Sequence, residues 1–398
     1  MTTRRNFLTT TATTAAALAL ASRSRAGDTP QSNSTGAVTS SGPTLRWGII
    51  GTGTRGNHTH ITVQKKAPDS QLLAICDVSQ SQLQDAISNH GKPLATCTDY
   101  QKLLSNPDIN AVVIAAPNLF HKEMFLAAVQ SGKHVLCEKP FGATPDDARA
   151  MYKAAESAKQ VVMFGMQYRN HPKHQKIADL ISSGRIGKPR FIIQNCSRGD
   201  WNLNPNVWKF ADPKLANGEP RNWRFSHTAT GGTLNEFSCH YFDLLHWWAG
   251  ANPNRATADG GISVYKDGRD TWDHASVTLH YPNDVTAVHT LSLLGAGKND
   301  LVIFGEEGSI QNDDKALLVS NQPHKGRQVG VKTQEIKPDP EPKGDNATLT
   351  LYKDFLECVK TGKKPDASRD RAAAASRTCW LAELASDRKA EVSWDAVA

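Results

Sequence analysis

Short apolar runs alternate with longer amphipathic stretches through the first half of the chain. The runs have the length of buried strands, and the stretches between them carry apolar residues at helical spacing. Thr144 precedes one such stretch and is a typical helix N-cap residue. Strands are predicted at 45–50, 71–76, 111–115, 134–137 and 161–165, and helices at 57–66, 99–104, 121–130 and 146–159. This alternation predicts a doubly wound parallel α/β sheet.

The second half of the chain has a different pattern. Apolar and polar residues alternate over 275–280 and 285–291, as in half-exposed strands. Helices are predicted at 236–248, 349–360 and 371–384, whereas the Pro-, Lys- and Gly-rich segment 321–345 is expected to be an exposed loop. The change predicts two domains, 45–165 and 166–398, with C-terminal helices that can pack back on the first.

Three glycines lie between the first predicted strand and the first predicted helix. Gly51, Gly53 and Gly56 form a G-x-G-x-x-G motif that also contains Arg55. In this motif the glycines permit a tight turn, close approach of the backbone to a pyrophosphate, and close packing of the helix on the strand. Asp77 ends the second strand 21 residues after Gly56, where a carboxylate can accept hydrogen bonds from ribose hydroxyls and repels a 2′-phosphate. We therefore predict a dinucleotide site that prefers NAD to NADP.

Polar residues follow two further predicted strands. Pro117 and Asn118 come after the strand at 111–115, and Glu138 comes after the strand at 134–137. Ligands of doubly wound sheets bind beyond the carboxyl ends of the strands, so we expect these residues beside the cofactor. His121 is a further candidate for the nicotinamide side. A helix-capping role for Asn118 and a surface position for His121 are the alternatives.

Composition excludes two classes of protein. The 398 residues are 39% apolar and 21% charged. No apolar run reaches the roughly 18 to 20 residues of a membrane-spanning helix. The formal net charge of +7 falls to +3 without Arg4, Arg5, Arg23 and Arg25, and no basic run is interleaved with aromatic residues. We expect neither a membrane span nor a nucleic-acid partner.

The N-terminus resembles a twin-arginine export signal. Arg4 and Arg5 precede an Ala- and Thr-rich stretch, and Ser24 and Ala26 form a small-x-small cleavage site. This predicts a signal over 1–26, a flexible arm over 27–44, and export of the folded protein to the periplasm or another extracytoplasmic space. The alternative is a disordered tail with a chance arginine pair. The seven cysteines show no paired spacing and are expected to be reduced core thiols.

Four segments together carry a family resemblance. They are 51–56, 116–121, 131–140 with the string GKHVLCEKP, and 231–243 with the string GGTLNEFSCHYFD. The chain resembles, from residue 45 onward, the Gfo/Idh/MocA family, named for glucose-fructose oxidoreductase and inositol dehydrogenase. The resemblance implies a Rossmann domain joined to an α/β domain with an open, mostly antiparallel sheet. It also implies a nicotinamide cofactor, a sugar or cyclitol substrate, and a homo-oligomer, either dimer or tetramer.

Oxidation of a secondary alcohol by hydride transfer needs a base for the hydroxyl proton and a donor for the developing alkoxide. Lys139 is predicted to supply the donor, and Glu138 to orient Lys139 or the nicotinamide ribose. Glu236 and His240 are four residues apart, so a helix would place both on one face, with His240 as the base and Glu236 as its partner. The alternatives are a solvated lysine and an ordinary helical pair. The family has Asp at position 236 and Gly at position 238, which leaves the role of Glu236 open.

A carboxylate and a histidine at this spacing can also hold a metal, but no third ligand is marked by spacing, so no metal is expected. Candidate substrate residues follow the last Rossmann strand or lie in the second half of the chain, with core packing of the tryptophan as the alternative. They are Gln167, Tyr168, Arg169, Trp223, Arg224 and Asp243, with a further cluster at 200–202.

Three functions are compatible with this set. The first is nicotinamide-dependent oxidation of a secondary hydroxyl of a sugar, sugar derivative or cyclitol. The second is redox-neutral glycoside cleavage or epimerisation with bound NAD. The third is a non-catalytic sugar-binding module, against which the Lys139 and His240 pair argues. Because free NAD is scarce outside the cytoplasm, an exported enzyme is expected to hold its cofactor tightly.

Overall fold

The computed structural model describes residues 44–199, 207, 209–212, 220–295, 297, 299–312, 316–321, 332–339, 346–365 and 368–397. The predicted export signal, almost all of the predicted arm and the cluster at 200–202 lie outside these residues. Across the described ranges, no helix is long and apolar enough to cross a membrane.

The first sheet has six parallel strands in the order β3-β2-β1-β4-β5-β6. The order reverses between β1 and β4, and ligands of doubly wound sheets bind at such a switch point. The predicted doubly wound parallel sheet is therefore confirmed. Its strands are β1 (Leu45–Ile50), β2 (Ser70–Cys76), β3 (Ala95–Cys97), β4 (Ala111–Ile114), β5 (His134–Cys137) and β6 (Val162–Phe164).

Helices cover both faces of this sheet. The first begins as a π-helical segment, Arg55–Ile61, and continues as α1 (Thr62–Gln64). It is followed by α2 (Gln80–His90), α3 (Tyr100–Leu104), α4 (His121–Gln130) and α5 (Pro145–Ser157). Thr144 caps α5 as predicted, since its Oγ1 accepts from Asp147 N at 3.2 Å. The sequence pattern missed α2, which buries only Leu83 and Ala86, and β3, a largely exposed edge strand.

The second sheet has nine strands in the order β16-β15-β14-β13-β7-β12-β11-β10-β17. Only β7 and β12 pair in parallel, so the mostly antiparallel sheet is confirmed. The strands are β7 (Pro189–Ser197), β10 (Arg255–Gly261), β11 (His274–His280), β12 (Thr286–Ser292), β13 (Leu301–Gly305), β14 (Gly308–Asn312), β15 (Leu317–Asn321), β16 (Thr333–Ile336) and β17 (Val392–Ser393). The prediction of an exposed loop over 321–345 was wrong at Thr333–Ile336, which form β16. The polar sequence of an exposed edge strand resembles that of a loop. A separate two-stranded sheet pairs β8 (Lys209–Phe210) with β9 (Arg221–Asn222).

The remaining described α-helices follow the first sheet in the chain. They are α6 (Pro172–Ser182), α7 (His227–Thr230), α8 (Cys239–Ala249), α9 (Asn346–Thr361) and α10 (Ser368–Arg388). The helix α9 packs on the first sheet, where the ring of Trp47 lies 5.1 Å from Tyr352 and 5.0 Å from Phe355. The helix α10 packs along α8, so residues near the C-terminus support both halves of the structure.

Candidate active site

The loop formed by the glycine motif is open to a ligand above Gly53. A Cβ on Gly51 would lie 2.7 Å from the carbonyl of Ala115, and one on Gly56 would lie 1.9 Å from the carbonyl oxygen of Gly51. These two glycines are therefore required by the fold. A Cβ on Gly53 would meet nothing within 4 Å, so the space above it is available to a ligand. This geometry fits a pyrophosphate on the backbone amides of the loop.

Asp77 lies at the rim of the same loop. Its Oδ2 accepts from Thr52 N at 2.7 Å and from Thr52 Oγ1 at 3.1 Å, and its Oδ1 accepts from Ser79 N at 2.9 Å. These bonds fix a partly exposed carboxylate at the end of β2, beside the glycine turn. The placement fits recognition of a ribose diol.

Glu138 lies among basic side chains at the end of β5. Its Oε1 accepts from Arg55 Nε at 2.6 Å and lies 2.9 Å from His60 Nε2, whose other nitrogen lies 2.9 Å from Tyr352 Oη. Burial raises the pKa of Glu138, but Arg55, His60 and Lys139 outweigh burial and hold it well below its usual value. Glu138 orients Lys139 through the backbone, because Oε2 accepts from Lys139 N at 3.2 Å.

Arg55, which belongs to the glycine motif, hydrogen-bonds to residues from three other segments of the site. Its Nη2 also donates to Thr348 Oγ1 at 3.2 Å and to the amide oxygen of Gln167 at 2.8 Å, with the Gln167 amide nitrogen turned to the carbonyl of Gly165. Sequence reasoning missed His60, Tyr352 and Thr348, which lie far apart in the chain and form no local motif.

Lys139 reaches across to the π-helical turn Leu234–Ser238. Its Nζ donates to the carbonyl oxygen of Glu236 at 2.7 Å and lies 3.5 Å from Glu236 Oε2. Burial lowers the pKa of Lys139, but Glu236 and the other nearby acidic groups outweigh burial, and the net shift is upward. Lys139 is therefore an ammonium ion at neutral pH and can act as a hydrogen-bond donor, not as a base.

Glu236 is held by three residues from three segments. Besides Lys139, its carboxylate accepts from Asn118 Nδ2 at 2.9 Å and from Arg224 Nε at 3.2 Å. Burial raises the pKa of Glu236, but Lys139 and Arg224 outweigh it and the net shift is downward. Asn118 also donates to the carbonyl of Thr230 at 3.0 Å, so it links two segments and does not cap a helix.

The structure does not pair Glu236 with His240 as the sequence pattern suggested. The segment Leu234–Ser238 forms a π-helical turn before α8. The Glu236 carboxylate bonds to Lys139, Asn118 and Arg224. The interpretation of Glu236 as the partner of His240 was wrong because these three residues from other segments occupy its carboxylate.

His240 is held by ring stacking. Its imidazole lies on the ring of Tyr168 with centroids 4.1 Å apart and planes inclined by 8°. The residue is 5% exposed, and its Nδ1 has no hydrogen-bond partner among the described residues. Burial, reinforced by Lys139, lowers the pKa of His240 well below its usual value. A neutral imidazole is suited to accept a proton from a bound ligand.

The other candidate residues surround this centre. Arg169 and Asp243 form a two-point ion pair, with Nε to Oδ2 at 2.9 Å and Nη2 to Oδ1 at 2.5 Å, so each is occupied by the other. The guanidinium of Arg224 lies 4.4 Å over the ring of Trp223, which is 6% exposed. Asp243 therefore orients Arg169. Arg224 lies between the Glu236 carboxylate and the ring of Trp223.

His121 and Pro117 support the loop after β4. His121 is buried, with Nε2 at 2.9 Å from the carbonyl of Ala116 and Nδ1 at 3.2 Å from the carbonyl of Pro140. This excludes the surface alternative for His121 and commits both ring nitrogens to the backbone. Pro117 precedes a short 3-10 turn, and its carbonyl accepts from Phe120 N at 3.0 Å. Within the described ranges, no group of three His, Cys, Asp or Glu residues could hold a metal ion.

The parallel sheet, its open glycine loop and the ammonium and imidazole groups beyond the strand ends define a nicotinamide-dependent oxidoreductase. Two sequence profiles agree with this class. Residues 45–166 match the oxidoreductase family with an NAD-binding Rossmann fold, and residues 174–311 match the GFO/IDH/MocA C-terminal domain. The chain belongs to the Gfo/Idh/MocA family.

Curated relatives are named dehydrogenases, and a solved structure shares the fold. Myo-inositol 2-dehydrogenase from Thermotoga maritima is 25% identical over 361 residues, which cover 89% of this chain and 99% of the relative. Levoglucosan dehydrogenase from Pseudarthrobacter phenanthrenivorans is 27% identical over 237 residues, covering 54% and 57% of the two chains. A structure of levoglucosan dehydrogenase with NADH and levoglucosan superposes with a TM-score of 0.74 at 20% identity, over 88% of this chain and 99% of that one. The structural likeness shows a shared fold.

Proposed function

We propose that this enzyme uses NAD to oxidise a secondary hydroxyl of a sugar, sugar derivative or cyclitol, or catalyses the reverse reduction. The observation that carries the proposal is the placement of a neutral imidazole and an ammonium ion at one segment, the start of α8. Lys139 Nζ donates to the carbonyl of Glu236, four residues before His240. The two groups therefore can act on one small ligand.

Each residue has a distinct role in this chemistry. NAD held by the glycine loop and Asp77 would supply the hydride acceptor. His240 takes the hydroxyl proton, because its lowered pKa keeps the imidazole neutral. Lys139 has three N–H donors, of which Glu236 engages two, and the third can stabilise the oxygen as negative charge develops. Glu236 and Glu138 hold Lys139 in place, and the Tyr168 ring holds His240.

The substrate class rests on relatives and on the walls of the site. Two relatives are named for levoglucosan and myo-inositol, which are polyhydroxylated rings. The ring of Trp223 is buried beneath the Arg224 guanidinium, as in the core-packing alternative, so Trp223 supports Arg224. Fixed donors such as Arg224 are a usual means of holding such rings. Asp77 supports NAD over NADP, because a carboxylate disfavours a 2′-phosphate.

The cellular setting is a further part of the proposal. Residues 1–26 act as a twin-arginine export signal, and the mature enzyme works outside the cytoplasm as a homo-oligomer with NAD bound tightly. Export of a folded protein allows the cofactor to travel with it. Denaturing the purified protein and assaying the supernatant should release about one NAD(H) per chain; far less than this, with activity dependent on added NAD, would contradict tight binding.

The decisive experiment is a substrate panel with spectroscopic and chromatographic readouts. Purified enzyme is incubated with levoglucosan, myo-inositol and common aldoses, and reduced nicotinamide is followed by absorbance. Net reduction that Lys139→Ala and His240→Ala abolish would support the proposal. Product without net reduction would favour the redox-neutral alternative. No turnover of any polyol, with NAD shown to be bound, would overturn the proposed function.

A further inference from the structure

Two cysteines lie side by side at the edge of the first sheet. Cys76 is the last residue of β2, Cys97 is the last residue of β3, and the two are register partners on these neighbouring parallel strands. Register partners project from the same face of a sheet, on strands that lie about 4.7–4.9 Å apart. The roles proposed above make no use of either thiol.

The side chains of Cys76 and Cys97 are directed at each other. Cys97 Sγ donates to the carbonyl oxygen of Ile75 at 3.9 Å, which places the Cys97 sulfur against the end of β2. Burial raises the pKa of Cys76, and a hydrogen bond with the Cys97 thiol raises it further. Disulfides join residues whose Cα atoms are about 4.4–6.8 Å apart, a range that includes the spacing of neighbouring strands. The backbone therefore already has the separation that a disulfide requires.

The two thiols differ in their exposure to solvent. All seven cysteines are free, and Cys97 is the one that is not buried, so it is the exception to the predicted set of core thiols. Cys76 is 3% exposed. Thiol reactivity requires access, and buried structural thiols are inert. A small disulfide oxidant can therefore reach Cys97 first, and Cys76 can react only with the sulfur beside it.

Asp77, the carboxylate at the rim of the glycine loop, directly follows Cys76. Its backbone N–H donates to the carbonyl oxygen of Cys97 at 3.2 Å, and its side chain accepts from Thr52 in the glycine loop. The strand β3 has three residues and pairs only with β2, so few contacts hold it in place. A change in the separation of Cys76 and Cys97 therefore acts directly on Asp77.

We propose that Cys76 and Cys97 form a modification site, at which a small-molecule disulfide joins them across β2 and β3 and thereby weakens the binding of NAD. The Cys97 thiolate attacks one sulfur of the oxidant, whose S–S bond breaks, and a mixed disulfide forms as the first thiol leaves. Cys76 then attacks Cys97 Sγ, and the second thiol leaves. The two cysteines lose two electrons and two protons, and the oxidant gains them as two thiols.

The new bond changes the geometry of the strand ends. The Cβ atoms of a disulfide lie about 3.5–4.5 Å apart, which is closer than the spacing of about 4.7–4.9 Å between neighbouring strands. Oxidation therefore draws the end of β3 toward β2 and shifts the Cys97 carbonyl that holds Asp77 N. Weakening one hydrogen bond between Asp77 and the ribose should lower the affinity for NAD about tenfold. A strained disulfide is also readily reduced, so the modification is reversible.

The effect on NAD rests on the role that the proposed function gives to Asp77, whereas formation of the disulfide depends only on the placement of the two thiols. Disulfides form and persist in oxidising compartments. The proposed export would therefore bring Cys97 into contact with oxidants of this class. Separate experiments address the bond and its effect on the cofactor.

The first experiment maps the bond. The full chain is incubated with oxidised glutathione, the remaining thiols are alkylated in denaturant, and unreduced peptides are analysed by mass spectrometry. We expect a peptide pair linked through Cys76 and Cys97 that dithiothreitol separates. Cys358→Ser, a change at a thiol on α9, is the matched control and should keep this link, whereas Cys97→Ser should abolish it. Cys97 recovered unmodified, or only as its glutathione adduct beside an alkylated Cys76, would overturn the proposal.

The second experiment measures NAD affinity by titration calorimetry on cofactor-stripped protein, before oxidation, after oxidation and after reduction again. We expect the Kd of the wild type to rise about tenfold on oxidation and to return on reduction, and the Kd of Cys97→Ser to be unaffected by the oxidant. An unchanged Kd in the linked wild type, or an equal loss of affinity in oxidant-treated Cys97→Ser, would overturn the effect on NAD. Cys97→Ala provides the same comparison if the serine variant does not fold. If the reduced wild type binds no NAD, the proposed function fails, and the peptide map still decides whether the disulfide forms.

Discussion

The side-chain nitrogen of Lys139 donates to the main-chain carbonyl of Glu236 at 2.7 Å. Lys139 follows β5 of the first sheet, and Glu236 lies in the turn before α8, so this bond joins the cofactor side of the site to the segment that carries the base. The main-chain carbonyl and the fixed carboxylate of Glu236 together hold the ammonium group in place.

Lys139→Ala should lower turnover by about a hundredfold or more, the effect of losing one preorganised donor to a developing oxyanion. Glu236 keeps Asn118 and Arg224 as partners, so the thermal midpoint should change little. Steady-state kinetics and thermal unfolding check this. Lys102→Ala, a change on exposed α3, is the control. Near-normal turnover in Lys139→Ala would remove Lys139 from the mechanism.

Turnover should depend on the protonation of His240. Because the base must be neutral, kcat should fall as pH decreases through the pKa of His240, and the lowered pKa places this limb below the usual histidine value of about 6.5. His240→Gln should remove the limb and lower kcat by about a hundredfold. A limb that persists in His240→Gln would assign it to another group.

Asp77→Ser should weaken NAD binding by about 1 to 3 kcal/mol, the range for a lost hydrogen bond to a charged group, and should relax discrimination against NADP. Titration calorimetry on protein stripped of cofactor measures both affinities. Asp85→Ser on the exposed face of α2 is the matched control. A wild-type preference for NADP would contradict the role given to Asp77.

Glu236→Asp tests the length of the carboxylate arm. The shorter side chain withdraws by about 1.5 Å, so it cannot keep both Asn118 and Arg224 at hydrogen-bond distance, and turnover should fall about tenfold or more. Steady-state kinetics with the best substrate of the panel measure this change. Faster turnover than wild type would show that the site prefers the shorter acid.

Acid should destabilise the protein through its buried histidines. Burial lowers the pKa of His246 and His289 to about 3, and it lowers that of His240 as well. The unfolded state binds protons below about 6.5, whereas the folded state does not until near 3, so stability is lost as pH falls through this interval. Thermal midpoints measured from neutral pH down to pH 4 should decrease steadily. His246→Leu should reduce the slope, whatever its effect on the absolute midpoint.

The sequence was informative where chemistry is local. The glycine motif, Asp77 and the strand ends at Asn118 and Glu138 lie within one repeating βα pattern, and the structure places them together. The sequence was uninformative where hydrogen-bond partners are distant along the chain. No residue adjacent to Glu138 in sequence indicates that His60 and Arg55 bond to its carboxylate. The spacing at 236–240 misled because it does not show that Glu236 bonds to Lys139, Asn118 and Arg224, so the expected partner of His240 was wrong. Its actual support, Tyr168, belongs to another segment.

The packing of α9 on the first sheet also bears on how the protein is made. Trp47 lies in the first strand, yet Tyr352 and Phe355, which cover it, are synthesised about three hundred residues later. The nucleotide-binding half therefore cannot complete its core while it is still emerging from the ribosome. We therefore expect the cofactor to bind only after the full chain has left the ribosome. Deletion of the last fifty residues would remove Tyr352 and Phe355 and expose the face of the first sheet that they cover. This deletion should damage the nucleotide site, although the deleted residues are distant from that site in sequence.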